Sequence, residues 1–299
     1  MMSRKPTARA AALGMIISEL MSAKNWQNGE LSKRLGWLDY KMSRLTHGAR
    51  VHDVTDFVMI LAVLDVQGDE RRDLLAIAEN LGQPNSWLPP IMSPAGRARF
   101  LTRLENLATR LTWYSRTAIP TQLQTRDYIR FLTNNPFVSQ TQADNLSHRF
   151  EERSRSTSNR THARFFISEA AITPADLPPD VTADLLHHLL RLTVRPNIQI
   201  RLVPDNVTLP DYPTFTYLTF GTDHPPLAHI EAMNASALLE DHHTLKQTHT
   251  IHTTLTEHAL TTTATKTRLL ELATNLANTT PTPDPDLLGL TTHPATTIA

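Results

Sequence analysis

The chain of 299 residues contains no cysteine, which excludes structural disulfides, thiolate metal sites and cysteine nucleophiles. Glycine is scarce as well, with nine residues and no Gly-x-Gly cluster, so a glycine-rich phosphate-binding loop is absent. The patterns G-x-S-x-G and H-E-x-x-H do not occur. We therefore expect that the protein is not an enzyme and that it uses no cofactor and no metal.

Long apolar runs are also missing. No stretch approaches the roughly 18 consecutive apolar residues that a transmembrane helix requires. The N-terminal stretch "MMSRKPTARAAALGMII" is basic and then mildly apolar, but Gly14 interrupts it and no convincing cleavage site follows. The sequence predicts a protein of the cytoplasm without a signal peptide.

Charge is balanced overall but not locally, since 29 basic residues face 29 acidic ones. Residues 1–52 hold nine Lys or Arg against three acidic residues, and residues 53–80 hold two against seven. Such neighbouring blocks favour one surface that meets a polyanion and another that faces away from it. Clustering by chance is the alternative.

The first part of the chain has the apolar spacing of short helices. Leu13, Ile16, Ile17 and Leu20 recur at helical spacing, and four further apolar-periodic segments follow, one of them beginning at the N-cap residue Asp53. This predicts an all-α domain of five helices over residues 7–82. Four prolines between residues 84 and 94 then indicate a linker, or an ordered crossing segment, over residues 83–95.

Strand character appears only in the second half of the chain. Residues 163–168, 197–204, 214–221 and 227–232 are rich in β-branched and aromatic side chains. Helical patterns flank them, over residues 95–118, 235–260 and 263–277 among others. We expect an α+β protein, with a C-terminal mixed α/β domain of about four strands over residues 96–277 and a disordered Thr/Pro-rich tail over 278–299.

The segment "GELSKRLGWLDYKMSRLTHGARV" has the pattern of two short helices joined by a tight turn. Leu31 and Leu35 would face inward from the first helix, and Met42 and Leu45 from the second. In a helix–turn–helix the second helix lies in the major groove while the first braces it. Polar and basic residues are then expected to contact DNA: Asn28, Lys33, Asp39, Tyr40, Lys41, Ser43, Arg44, His47 and Arg50.

These motifs resemble a known family. "ELSKRLGW" followed by "KMSRLTHG" is similar to the helix–turn–helix domain of XRE/Cro-type regulators over about residues 10–80. Leu38 stands where that family usually has a capping Ser, and Asp39 stands where it often has a base-reading Gln. The alternative is a degenerate helix–turn–helix that only dimerises or binds protein.

Five later pieces, among them "WYSRTAIPTQLQTRDYIRFL" and "RFFISEAAI", resemble the antitoxin-like companion domain of actinobacterial regulators of this kind. The resemblance implies dimerisation and sensing of an effector or partner. The candidate pocket residues are Gln124, Thr125, Tyr128, Glu169 and Glu231. In the alternative interpretation, Glu169 and Glu231 bond backbone amides or an arginine such as Arg153 or Arg201.

The sequence thus predicts a homodimeric regulator that binds double-stranded DNA and no membrane. In the alternative, an antitoxin-like module binds a small neighbour-encoded protein and uses DNA only for autoregulation; a small-molecule effector is a further candidate partner. Two further hypotheses are a hydrolase that uses Glu169 and Glu231, and a zinc site at His249 and His252 on one helix face.

Overall fold

The computed structural model describes residues 7–49, 53–83, 85–155, 161–207, 213–232 and 235–279. Within these residues eleven α-helices and seven β-strands form a mixed α+β fold, which confirms the predicted fold class. The number of strands exceeds the predicted four. Arg50 and the predicted tail beyond Thr279 lie outside the described residues.

Five helices make up the N-terminal part, as the sequence predicted. Asp53 caps one of them by accepting a hydrogen bond from the amide of Thr55 at 3.0 Å. Asn25 and Gly36 adopt positive φ angles of 57° and 66°, which end the first two helices in the left-handed conformation. The helices are α1 (Ala8–Ala23), α2 (Asn28–Leu35), α3 (Asp39–Thr46), α4 (Val54–Val63) and α5 (Gly68–Glu79).

The strands belong to one sheet. They are β1 (Asn85–Leu88), β2 (Arg110–Ser115), β3 (His162–Ser168), β4 (Ile198–Val203), β5 (Phe215–Thr219), β6 (Leu227–Ala232) and β7 (Ala235–Leu239). Their spatial order is β1-β7-β6-β5-β2-β3-β4. The strands β2, β3 and β4 at one end of the sheet run parallel, and the other neighbouring pairs are antiparallel.

Six further helices cover the sheet and connect its strands. They are α6 (Pro94–Leu107), α7 (Arg126–Thr133), α8 (Gln140–Arg155), α9 (Pro179–Leu192), α10 (His242–His258) and α11 (Thr262–Thr279). No described helix combines the length and the apolar character that crossing a membrane requires.

Three strands correct the sequence prediction. β1 lies in the segment expected to be a linker or crossing segment, and its four residues are too few for a clear periodicity. β2 follows α6 after only two residues, without the Gly or Pro that usually marks a boundary. β7 consists of Ala, Ser and Leu, of which Ala and Leu favour helix, but β1 and β6 pair with it on both sides and impose the strand.

The two faces of the sheet pack against different partners. Leu111 and Trp113 of β2 belong to the large core that also includes the N-terminal helices. Tyr114 belongs instead to a small cluster with Phe166 of β3 and Leu255 of α10. Because neighbouring strand residues point to opposite faces, α10 lies on the face away from the large core.

A buried arginine joins the first helix to the last strand of the sheet. Arg9 of α1 is 2% exposed, and its Nη2 lies 3.1 Å from a carboxylate oxygen of Glu240, just after β7. Its guanidinium also donates to the hydroxyl of Ser86 at 2.6 Å and to the carbonyl oxygens of Asn80 and Gln83. The N-terminal helices are therefore attached to the sheet through polar contacts as well as through the core.

Candidate nucleic-acid interface and polar cavity

The helical pair α2–α3 packs closely on α1. Leu31, Met42 and Leu45 are buried, which places the inner faces of both helices in the core. A Cβ atom at Gly14 of α1 would overlap the carbonyl oxygen of Thr46 at the end of α3. Since only glycine permits this approach, the backbones of α1 and α3 are in direct contact and α3 is held in a fixed position.

The outer face of α3 carries most of the residues predicted to contact DNA. Leu38 at its N-cap makes no side-chain capping bond and is 67% exposed. The structure exposes Lys33, Asp39, Tyr40, Arg44 and His47, and it half-buries Asn28 and Ser43. Arg44 makes no side-chain hydrogen bond or ion pair to any described residue, so its guanidinium is available for an external partner.

Lys41 occupies a different environment from the one the sequence suggested. Its Nζ lies 2.7 Å from Oδ1 of Asp56 on α4. The same ammonium group lies 3.6 Å from the centre of the Trp37 ring. These contacts join α3 to α4. The ammonium group of Lys41 is therefore engaged within the protein and is not free to contact the DNA major groove.

Other members of the basic block are also engaged. Arg9 is buried, and Arg34 pairs with Glu30 at 2.7 Å while its guanidinium lies 4.2 Å from the centre of the Trp26 ring. Along the acidic block, Glu70 pairs with Arg99 and Asp73 accepts hydrogen bonds from Ser93, both at α6. The charge asymmetry of the sequence therefore serves internal contacts in part, and α3 retains Arg44 as an unpaired cation among the described residues.

A second site is a cavity of about 100 Å³. It lies between helix α8, the sheet and the segment that precedes α7. Its lining includes Gln124, Arg149, His229 and Glu231. Gln124 follows a 3-10 turn and donates from Nε2 to the carbonyl oxygen of Ile119 at 2.7 Å. Two of the predicted pocket residues, Gln124 and Glu231, therefore meet here.

Three buried polar atoms in this cavity have no hydrogen-bond partner among the described residues. They are Oε1 of Gln124, Nη1 of Arg149 and Nε2 of His229. Buried polar groups are usually satisfied, so these atoms form a set of donors and acceptors suited to a small polar ligand or to water. The cavity is the part of the described chain that best fits the predicted pocket.

Charges are densely arranged around it. Glu105 of α6 is buried and accepts from Arg149 at 3.2 Å and from Arg153 at 2.9 Å. Nη1 of Arg149 also lies 3.7 Å from Oε2 of Glu231. The side chain of Glu231 is 47% exposed. Partial desolvation raises its pKa, but the positive charges around it, chiefly that of Arg149, outweigh this effect and bring the pKa below its usual value.

His229 is buried beside these charged residues. Burial lowers its pKa to about 4, so the imidazole is neutral at neutral pH. His229 and Glu231 share one face of β6 because they are two residues apart. That spacing is the sequence signal that could have identified His229, whereas nothing in the charged segment around Arg149 indicated that it would reach the sheet.

The remaining predicted pocket residues have structural contacts. Thr125 caps α7 by accepting from the amide of Tyr128 at 3.3 Å. Tyr128 is buried, and burial raises its pKa to about 12. Glu169 lies at another place, where Nε of Arg268 on α11 donates to it at 2.8 Å. The structure thus separates the two carboxylates that the sequence placed together.

The arginine partners also differ from those suggested for these carboxylates. Arg153 bonds Glu105, and Arg201 donates to the carbonyl oxygens of Thr256, Ala259 and Leu260 at the end of α10. Glu169 is paired with Arg268 instead, and Glu231 with Arg149. Among the described residues, no group of three or more His, Asp or Glu side chains is arranged to hold a metal ion.

A family model described as "Domain of unknown function (DUF5753)" matches residues 98–271. The chain belongs to the DUF5753 family. The matched region begins inside α6 and ends inside α11, so it contains the polar cavity, while the α2–α3 pair precedes the DUF5753 region. No curated protein and no solved structure matches the chain.

Proposed function

We propose that the protein is a sequence-specific DNA-binding transcriptional regulator of the helix–turn–helix type, similar to XRE/Cro-type regulators. α3 would lie in the major groove, and α2 would brace it across the backbone. The observation that carries the proposal is the outer face of α3, on which Tyr40, Arg44 and His47 are exposed while Met42 and Leu45 anchor the helix in the core.

The chemistry of this face suits DNA. A guanidinium such as that of Arg44 can donate two parallel hydrogen bonds to guanine or bind a phosphate. Tyr40 can donate to a phosphate oxygen, and Asp39 can accept from a cytosine amino group. Lys33 at the exposed end of α2 supplies a second cation for the DNA backbone.

The DUF5753 region supplies the second half of the proposal. A single helical module buries limited area on DNA, so we propose a homodimer that spans two half-sites about 34 Å apart. The cavity formed by Gln124, Arg149, His229 and Glu231 would bind the effector or respond to the partner protein.

Fluorescence anisotropy with a duplex from the gene's own upstream region and a scrambled duplex tests this function. We expect sequence-dependent affinity that falls steeply as the salt concentration rises from about 50 to 200 mM, because neutralised phosphates release counterions. Arg44→Ala should weaken specific binding by roughly 5- to 150-fold, since a bidentate contact contributes roughly 1–3 kcal/mol.

The matched control is Arg130→Ala, which removes one exposed positive charge from α7. It should leave DNA affinity unchanged. Equal affinity of the wild-type protein for both duplexes, or equal effects of the two substitutions, would remove the support for α3 as a reading helix.

One observation favours a second candidate function. Leu38 and Tyr40 are 67% and 64% exposed, and together they make the start of α3 partly apolar. An exposed apolar group of this kind suits a protein partner better than a phosphate backbone. In this alternative the protein is an antitoxin-like module that binds a small neighbour-encoded protein. Co-purification with that product, lost in Leu38→Asp and retained in Val194→Asp on the DUF5753 region, would support it.

A further inference from the structure

A basic cavity lies on the other face of the sheet, beside α10. Its volume is about 550 Å³. Arg110 of β2, Arg164 of β3 and Tyr217 of β5 line it from the strands, and His249 and His252 line it from α10. Binding pockets for small molecules usually measure about 300–1,000 Å³, so this cavity has the size of a ligand site.

The charged side chains that line this cavity are both arginines, Arg110 and Arg164. Three histidines add imidazole rings to the lining, and none of the described lining residues is Asp or Glu. Repulsion between such groups disfavours the folded state, and a bound anion removes that repulsion. Thr112 and Asn197 add neutral hydrogen-bonding groups to the same lining.

The central arginine is held in place by its neighbours. Nε of Arg164 donates to Oε1 of Gln199 at 2.9 Å, and its Nη1 lies 3.0 Å from Nε2 of His252. Since a guanidinium can only donate, His252 accepts with a neutral ring. Nη2 of Arg164 makes no hydrogen bond to a described residue. An arginine oriented in this way loses little side-chain freedom when it binds an anion.

Planar groups stand beside these cations. The rings of His249 and His252 are stacked, with centroids 6.4 Å apart and an angle of 22° between their planes. Tyr217 is half-buried and contributes a third ring to the lining. Flat ligands pack well on such side chains, because aromatic rings contribute apolar area together with a defined orientation.

We propose that this cavity binds a small anion that carries a planar ring, with its phosphate or carboxylate group held by Arg110 and Arg164. Arginine is suited to both anionic groups, since its parallel N–H donors match two oxygen atoms at once. The site lies on the sheet face opposite the Gln124–Glu231 cavity, and it does not depend on DNA binding by α3.

Isothermal titration calorimetry on the full chain tests the site with two matched pairs of probes. Adenosine 5′-monophosphate is compared with adenosine, and benzoate with benzamide, so that each anion has a neutral counterpart. We expect at least one anion to bind tenfold or more tighter than its counterpart, because hydrogen bonds to charged groups contribute about that factor or more. The pair that shows the difference identifies phosphate or carboxylate as the natural group.

Substitutions then locate the binding site. Arg164→Gln and Arg110→Gln should each weaken binding of the anion by about tenfold or more. The control Arg126→Gln removes an exposed positive charge from α7 and should leave affinity unchanged. Arg110 is exposed, so its variant keeps the test valid even if Arg164→Gln loses stability in a thermal unfolding control.

Three results would overturn the proposal. The first is the absence of binding by either anion at about 10 mM, where a ligand with a dissociation constant of about 1 mM would be mostly bound. The second is equal affinity of anions and neutral counterparts. The third is an anion affinity that neither arginine variant alters, or that Arg126→Gln alters as much.

Discussion

Arg9 and Glu240 form an ion pair in which both side chains are almost completely buried, at 2% and 7% exposure. The pair joins α1 to the end of β7. Arg9 belongs to the block of positive charge that the sequence suggested for contact with a polyanion, and the structure assigns it to an internal contact instead.

Removal of one member of this pair should be costly. Arg9→Leu leaves the Glu240 carboxylate buried without its counter-charge, and we expect a loss of about 3 kcal/mol or more in the free energy of unfolding. Urea denaturation at neutral pH measures it. The control Arg34→Ala removes an exposed ion pair and the contact with the Trp26 ring, and it should cost about 1 kcal/mol. Similar losses in both variants would show that burial does not govern the contribution of Arg9.

Gly14 allows a second test, of the contact between α1 and α3. Gly14→Ala should lower the free energy of unfolding by about 1–3 kcal/mol, because the new methyl group overlaps the backbone of Thr46. Gly29→Ala on α2 is the control, since the nearest atom to its added Cβ lies 3.9 Å away. This variant should be stabilised by roughly 0.5–1 kcal/mol through helix propensity. Thermal unfolding of both variants should therefore shift in opposite directions.

Lys41 and Arg44 should behave differently although both lie on α3. Lys41→Ala removes the contacts with Asp56 and Trp37, so we expect a loss of about 1 kcal/mol in stability. Arg44→Ala should leave stability within about 0.5 kcal/mol of the wild-type value, because Arg44 has no described side-chain partner. Urea denaturation of the two variants measures both losses in the free energy of unfolding. The reverse order of losses would contradict these placements.

His229 should make stability depend on pH. Its pKa is lowered to about 4 by burial, while the unfolded chain has the ordinary value near 6.5. As the pH falls, the unfolded state therefore takes up the proton before the folded state does. The stability that neutral His229 contributes is fully present above a pH of about 6.5 and is lost as the pH falls towards 4. Between pH 7 and pH 5 we expect a loss of about 2 kcal/mol from this residue.

Urea unfolding at pH 7 and pH 5 measures the effect. His229→Gln should reduce the difference between the two pH values by about that amount. His187→Gln replaces an exposed histidine and should leave the difference as it is in the wild type. Protonation of Glu231 falls outside this interval because its pKa lies below the usual value. An unchanged difference in His229→Gln would contradict the prediction.

The sequence predicted the helical part well because the relevant signals are local. The apolar spacing of Leu13, Ile16 and Ile17, the cap at Asp53 and the turn at Gly36 each depend on a few neighbouring residues. The pattern also identified four strands with strong alternation or aromatic content. β1 and β7 were missed because their strand state depends on a pairing between distant segments.

The sites were less accessible to sequence reasoning. Exposure of Arg44 follows from helical periodicity, but the engagement of Lys41 by Asp56 requires the packing of α3 against α4. Gln124 and Glu231 meet in one cavity, whereas Glu169 pairs with Arg268 elsewhere. Such pairings depend on tertiary contacts that residue types alone do not specify.

The sheet edge has a consequence for the order in which the protein forms during synthesis. β1 can pair only after β7 has left the ribosome, and Arg9 meets a partner 231 residues further along the chain. The five N-terminal helices emerge early and can assemble by local contacts, since proteins tend to fold from the N-terminus as they are made. Their contacts with α6 can form soon afterwards, whereas the contact with the end of β7 must wait for the last strand, so a nascent chain stalled before Glu240 would hold Arg9 without its counter-charge.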